Sequence, residues 1–214
     1  MKVAVIGATG YVGTQVVNEL VFRGYDVIAL ARKFDSEKDG VLNKVVDVYN
    51  KEDLVNALQG SDAVINTFNA GWTNPNLYDD FLNGSRNIEK AVEKAGIKRF
   101  ITVGGAGSLY VDEKTQIVDT PDFPKEIFAG ANAARNYLNE LKENTVLDWT
   151  FFSPAIEMSP ASPGERTGKY RVGTENPVFD SEGRSRLSVE DVAVVLVDEL
   201  EKSQFVKQRF TAAY

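Results

Sequence analysis

The feature that most restricts this chain is a glycine spacing close to its start. Gly7, Gly10 and Gly13 fall between a short apolar run, Lys2 to Ile6, and a segment that carries Val12, Val16, Val17, Leu20 and Val21 on one side. Such a pattern reads as a strand, a tight turn and an amphipathic helix. Glycines there permit the turn, let backbone approach a pyrophosphate and let the helix pack closely on the strand. The helix start adds unpaired N–H groups that attract an anion. Gly24 sits where a helix of this length ends.

The same alternation continues along the chain. Val27 to Ala31 reads as a second strand, followed by a charged loop through Gly40, and Val45-Val46 as a short third. Asn50 with Asp53 forms a capping-box pattern for a helix to about Gln59, stopped by Gly60-Ser61. Ala63 to Asn66 is a fourth strand. Leu77, Phe81, Ser85, Ile88, Val92 and Ala95 then recur at helical spacing up to Gly96. Arg99 to Val103 makes a fifth strand running into Gly104-Gly105-Ala106-Gly107-Ser108. A helix follows over about Glu126 to Glu143, with Ile127, Ala131, Ala134, Leu138 and Leu141 expected on its inner face. Trp149 to Ser153 is the sixth strand. Ser188 with Asp191 caps a last helix through Val192, Val195, Leu196 and Leu200, and Gln208 to Ala212 offers an edge strand.

Short, nearly all-apolar strands separated by helices imply an α/β fold: a doubly wound, mostly parallel, Rossmann-type sheet with helices on both faces. One domain over residues 1–214 is the default for a chain of this size. Residues 154–186 break the rhythm with four of the seven prolines, four glycines and four arginines. They read as a small irregular C-terminal cap over the sheet's carboxyl edge.

Composition narrows the chemistry. The chain has neither cysteine nor histidine, which removes thiolate nucleophiles, disulfides and the commonest general base and metal ligand. No metal site is expected, and catalysis falls to carboxylates, hydroxyls, Lys, Tyr or a cofactor. A net charge of −7 without a basic block argues against nucleic acid as partner. No apolar run is long enough to span a bilayer and no secretory pattern opens the chain, so a cytoplasmic protein that does not enter membranes is expected.

The end of the second strand bears on cofactor choice. A nicotinamide cofactor without a 2′-phosphate usually meets Asp or Glu there; this chain has Arg32-Lys33, whose charge suits the extra phosphate. NADP(H) is therefore the preferred expectation, with NAD(H) as the alternative. Asp47-Val48, just past the third strand, is placed to border the adenine.

On the loop Gly7-Ala8-Thr9-Gly10-Tyr11-Val12-Gly13, Asp47-Val48, Asn66 to Gly71, Val103 to Ser108, Phe152 to Ala155 and Ser188 to Ala193, the chain resembles the short-chain dehydrogenase/reductase superfamily. The likeness is to its atypical branch, which includes NmrA-like regulators, NADH-flavin reductases and the biliverdin-IX-beta reductase type. The resemblance implies that Thr9, Gly10, Tyr11 and Val12 wrap the pyrophosphate and that Arg32 faces the adenosine ribose or its phosphate. It implies that Phe68, Asn69 and Ala70 line the path to the nicotinamide ribose, that Val103, Gly104, Pro154, Ala155 and Ile156 border the nicotinamide, and that Ser108 supplies the substrate-orienting hydroxyl.

The usual family site pairs a Tyr with a Lys four residues later on a helix. The helix expected to carry it offers Phe128 and Asn132, of which Asn132 keeps a hydrogen bond available to ribose. Tyr110 and Lys114 have the spacing but fall too early, on a turn. From the cap, Tyr170, Arg166 and Arg171 are the candidates to close over a substrate. The leading expectation is thus an NAD(P)H-dependent reductase of a small conjugated, flavin-like or quinone-like acceptor that works without the Tyr/Lys relay. A non-catalytic dinucleotide sensor that binds a regulatory protein partner is the alternative, and a sugar-nucleotide epimerase or dehydratase the third reading. The outer helix faces carry no long apolar stripe, so a homodimer is left open.

Overall fold

The structure, a computed structural model, describes residues 1–161 and 164–214. Strands β1 (Lys2–Ile6), β2 (Asp26–Ala31), β3 (Val41–Val45), β4 (Ala63–Asn66), β5 (Arg99–Val103), β6 (Asp148–Ser153), β7 (Arg171–Gly173) and β8 (Gln208–Ala213) alternate with helices. These are α1 (Tyr11–Phe22), α2 (Lys51–Leu58), α3 (Leu77–Lys94), α4 (Lys125–Leu141) and α5 (Val189–Lys202). The strands join in one sheet in the order β3-β2-β1-β4-β5-β6-β8-β7. Every pairing is parallel except β7 with β8. Strand order reverses between β1 and β4, and that point opens a crevice at the carboxyl edge of the sheet.

Two cores flank the sheet. Ile28, Leu30, Val64 and Phe100 face α2, α3 and α4 on one side; Val3, Val5, Ile65 and Ile101 face α1 and α5 on the other. Burial on both faces is why the central strands are almost wholly apolar. Both N-caps form, each without the reciprocal bond of a capping box: Asn50 accepts from the Asp53 amide, and Ser188 Oγ accepts from the Asp191 amide at 3.0 Å, while the Asn50 and Ser188 amides donate to the Asp47 carbonyl and the Tyr214 hydroxyl. Gly24, Gly60 and Gly96 take positive φ just past their helices, as helix stops require.

The structure departs from expectation at the sheet's margins. The third strand is Val41–Val45, because an edge strand needs burial on little of its surface and Leu42, Asn43 and Lys44 give no apolar run. Gln208–Ala213 is an interior strand, flanked by β6 and β7. The true edge is β7, three residues of the irregular cap held antiparallel to β8. Ile127, expected on the inner face of α4, is exposed, on the first turn of a helix whose buried residues begin at Gly130. Among the described residues no helix is long and apolar enough to cross a membrane.

Candidate cofactor site at the sheet's carboxyl edge

The glycine turn is tightly built. Gly7 takes φ +77°, and the N–H groups of Gly7 and Ala8 both donate to the Leu30 carbonyl, at 3.0 and 3.2 Å. Thr67 Oγ1 donates to the Ile6 carbonyl at 2.8 Å, tying β4 to the turn. A Cβ on Gly13 would lie 2.7 Å from Thr67 Oγ1 and closer still to the Gly7 carbonyl oxygen, so this glycine is required by helix-on-strand packing. Gly10 differs: a Cβ there would meet one atom, the Gly7 oxygen, at 3.2 Å. Among the described residues the surface over Gly10 is open and no side chain caps α1, and the first turn of that helix carries no acid. An uncapped helix start beneath an open glycine fits a pyrophosphate. Thr9 is exposed and Val12 half-buried beside it. Tyr11 reaches across the turn, its hydroxyl donating to the Ser159 carbonyl at 2.9 Å, which joins the cradle to the cap.

The side of the crevice at β2 and β3 carries Arg32, exposed and without a hydrogen bond or ion pair among the described residues. Its neighbour Lys33 pairs with Asp35 at 2.7 Å. Asp47 Oδ1 accepts from the Tyr49 amide, while Val48 is buried and presents backbone alone to the crevice. Tyr49, which carried no signal in the sequence, stands here with its ring edge-on to Phe68, 6.4 Å between centroids. Burial, followed by the Asp80 and Asp47 charges, raises its phenol pKa, and Arg32 opposes them. Phe68 in turn stacks on Phe81 and lies where a Cβ on Gly84 would be, 2.6 Å from its Cζ.

Across the switch point, Asn66 is buried, donating to Thr102 Oγ1 and accepting from the Phe68 amide, both at 3.0 Å. That fixes the exit of β4 toward Phe68, Asn69 and Ala70. Val103 and Gly104 are half-buried at the end of β5, and Gly104 has no room for a Cβ against the Phe151 ring. After β6, Pro154 and Ala155 are buried and Ile156 is exposed.

Ser108 lies in a single 3-10 turn and is 1% exposed. Its hydroxyl shares a hydrogen bond with Ser153 Oγ at 3.2 Å and donates to the Gly105 carbonyl at 3.3 Å. Its carbonyl accepts from Gln116 Nε2 and from Arg209. These contacts fasten the loop after β5 to β6 and β8.

The expected relay positions on α4 fall on the wrong side of that helix. Gly130, Ala131, Ala134, Leu138 and Leu141 are its buried face; at 100° per residue, Phe128 and Asn132 point away from it. Phe128 packs edge-on against Phe123, and Asn132 Oδ1 accepts from Arg135. Ala131 is on the buried face, and Ile127, four residues before it, is exposed. Tyr110 and Lys114 lie on a surface turn closed by a Val111 N–H to Thr115 carbonyl bond.

The three cap candidates have partners inside the fold. Arg166 forms a two-point ion pair with Glu19 of α1, at 2.7 and 2.8 Å, and lies over the Phe22 ring. Arg171 donates to the Phe179 and Tyr214 carbonyls. The Tyr170 hydroxyl donates to Asp198 Oδ2 at 2.6 Å; burial and that carboxylate hold its phenol far above its ordinary range. All three are thus held by partners in α1, α5, the cap and the C-terminus.

An uncapped glycine turn at the switch point of a doubly wound sheet defines a dinucleotide-binding protein. The chain belongs to the NAD(P)H-binding family, which matches residues 7–203. It is 36% identical over 216 residues to the uncharacterized protein YwnB of Bacillus subtilis, covering 99% of this chain and 97% of that one. A structure from Bacteroides thetaiotaomicron, described as a candidate epimerase, is 38% identical with a TM-score of 0.90, covering 100% of this chain and 96% of that one. Another, from Streptococcus pneumoniae and described as a candidate NADH-flavin reductase, is 37% identical with a TM-score of 0.87, covering 100% and 99%. The protein is thus an NAD(P)H-binding, oxidoreductase-like member of the atypical short-chain dehydrogenase/reductase group.

Proposed function

We propose that this protein passes hydride from NADPH to a small planar conjugated acceptor of the flavin or quinone class. The observation that carries the reading is the make-up of α4: its tyrosine, Tyr137, is buried and is followed four residues on by Leu141, so the helix offers no Tyr/Lys pair at the relay spacing. An alcohol or ketone substrate needs a placed acid or base at its oxygen. A conjugated acceptor takes two electrons and one proton as hydride and its second proton from water, so the wall needs only to hold the ring and exclude bulk solvent.

When bound, the cofactor supplies the hydride; the chain's own residues do the rest. The α1 N-terminus and the open surface at Gly10 receive the pyrophosphate. Arg32, without a hydrogen bond or ion pair among the described residues, meets the 2′-phosphate, which is why NADPH is preferred over NADH in this reading. Tyr49 and the Asp47-Val48 backbone flank the adenine, and Phe68 to Ala70 with Val103 and Gly104 border the ribose and nicotinamide. Ser108 acts by holding the loop after β5, not by touching the acceptor.

Purified cofactor-free protein titrated side by side with NADPH and NADH, followed by NADPH consumption with a flavin and quinone panel, tests this. Binding with an NADPH preference and turnover of a planar acceptor is the expected result. Binding without turnover across the panel favours a second reading, a dinucleotide sensor serving a protein partner, which the burial of the Ser108 hydroxyl also supports.

A further inference from the structure

Fourteen large apolar side chains are exposed among the described residues, and five of them are on segments that follow strands at one edge of the sheet. Tyr11, Tyr49, Trp72, Ile127 and Ile156 are all exposed, and they follow the carboxyl ends of β1, β3, β4, β5 and β6 in turn. Clustered exposed apolar surface in a crevice marks where a ligand takes the place of water. Tyr11 and Tyr49 belong to the pyrophosphate and adenine half. Trp72, Ile127 and Ile156 lie on the other half, beyond β4, β5 and β6, and the cofactor reading leaves Trp72 and Ile127 without a task.

Trp72 is the largest of these and is 59% exposed. Its ring lies on the first turns of α4 at Gly130, where a Cβ would stand 2.8 Å from Trp72 Cζ3 and 3.1 Å from Leu77 Cδ2. The missing side chain at 130 is what lets the indole lie against the helix. The loop that presents it is heavily braced. Gly71, at φ +100°, donates to Asn69 Oδ1 at 2.7 Å, and Asn74 donates from its amide to the Gly71 carbonyl at 3.0 Å. The Asn74 side chain donates to the Ala70 carbonyl and to Asp80 Oδ2 and accepts from the Asn76 amide. Ile127 stands one turn nearer the helix start on the same side as Gly130, three residues away. An indole held by its loop in a fixed position, half in water, with its N–H unpartnered among the described residues, is built to receive a flat ring.

We infer that Trp72, set by Gly130 and flanked by Ile127, is the stacking wall for the acceptor, and that it selects flat aromatic acceptors such as the isoalloxazine ring over aliphatic ones. The inference rests on the acceptor class proposed above. It gives Trp72 binding of the acceptor and no part in binding NADPH.

The test uses riboflavin as probe and the full chain saturated with NADP+. Equilibrium dialysis measures riboflavin binding to the wild type, Trp72→Ala and Trp72→Phe, and calorimetry measures NADP+ affinity of each. Removal of a stacked aromatic weakens ring binding about tenfold or more, so Trp72→Ala is expected to lose that much, Trp72→Phe to retain most of it, and NADP+ affinity to stay the same. As Trp72 is exposed, its replacement leaves the fold intact, which the NADP+ titration verifies. Equal riboflavin affinity in wild type and Trp72→Ala overturns the stacking role, and riboflavin reduction by both then leaves the reductase reading standing. Loss of binding in Trp72→Ala with no NADPH consumption by the wild type supports the wall and overturns the reductase reading. No riboflavin binding by the NADP+-loaded wild type overturns the wall, and the reductase reading then stands or falls on the quinone arm of the panel.

Discussion

The glycine cradle and the cap lie close together, joined by Tyr11 and Ser159, yet they dispose of their polar groups in opposite ways. Among the described residues, the α1 N–H groups in the cradle have no side-chain cap and Arg32 has no hydrogen bond or ion pair, while in the cap nearly every charge is answered from inside the fold. Arg166 meets Glu19, Arg184 meets Glu157, Arg186 meets Asp180, and Thr167 and Gly168 both donate to Asp191. A run of arginines in an irregular segment suggests an anion site only until its carboxylates are located. What marks a site here is polar capacity the protein does not use for itself.

The sharpest break of this comparison separates two glycines of one motif. Gly13→Ala forces backbone apart at the crossing of α1 and β1 and is expected to cost about 3 kcal/mol or more, with cofactor binding lost as well. Gly10→Ala meets one atom and is expected to cost about 1 kcal/mol or less while still weakening NADPH. Chemical denaturation set beside NADPH titration distinguishes them, and equal destabilisation would mean that Gly10 is also a packing glycine.

On the cap side, Asp191 is fully buried. It accepts from the Thr167 and Gly168 amides, from the Thr167 hydroxyl and from Tyr214, all within 3.1 Å. Asp191→Ala leaves those donors unanswered and is expected to cost roughly 3 kcal/mol with NADPH affinity changed little. A collapse of affinity at temperatures where the variant is folded would show that the cap forms part of the cradle. Arg32→Ala reverses the pattern: stability unchanged, and NADPH weakened about tenfold more than NADH, the scale of one charge-assisted phosphate contact. Equal losses for the two cofactors would remove the phosphate role.

Much of the layout was legible in the sequence because burial on both faces writes strands such as Ala63–Asn66 and Arg99–Val103 as apolar runs with clear ends. The glycine turn was legible because its spacing answers to two constraints at once, backbone sign at Gly7 and helix packing at Gly13. Features that depend on long-range partners were not. β7 exists only because β8 offers it an edge, and three residues of Arg-Val-Gly carry no periodicity. The inner face of α4 was legible at Ala131, Ala134, Leu138 and Leu141, and Phe128 and Asn132 lie off it because an offset of one residue turns a helix position by 100°. Tyr49 gave no signal, since an exposed aromatic becomes informative only when its neighbours at the same edge are known.

The smallest effect expected is at Arg166, and it bears directly on the contrast between used and unused charge. The Arg166 hydrogen bonds are the main cause that holds the Glu19 carboxyl below its ordinary value of 4.5, with burial opposing and Arg23 assisting. A carboxyl whose folded pKa is lowered contributes stability that is present above its unfolded pKa and is lost as pH falls through the folded one. Arg166 is itself half in water, so Arg166→Ala is expected to cost about 1 kcal/mol or less near pH 7. The gap between variant and wild type should close as the medium is taken below pH 4.5, and acceptor turnover should be unaffected at any pH where both are folded. Denaturation midpoints across that range check the first part. A fall in turnover at pH 7 without loss of stability would return Arg166 to the crevice and undo the contrast between cradle and cap.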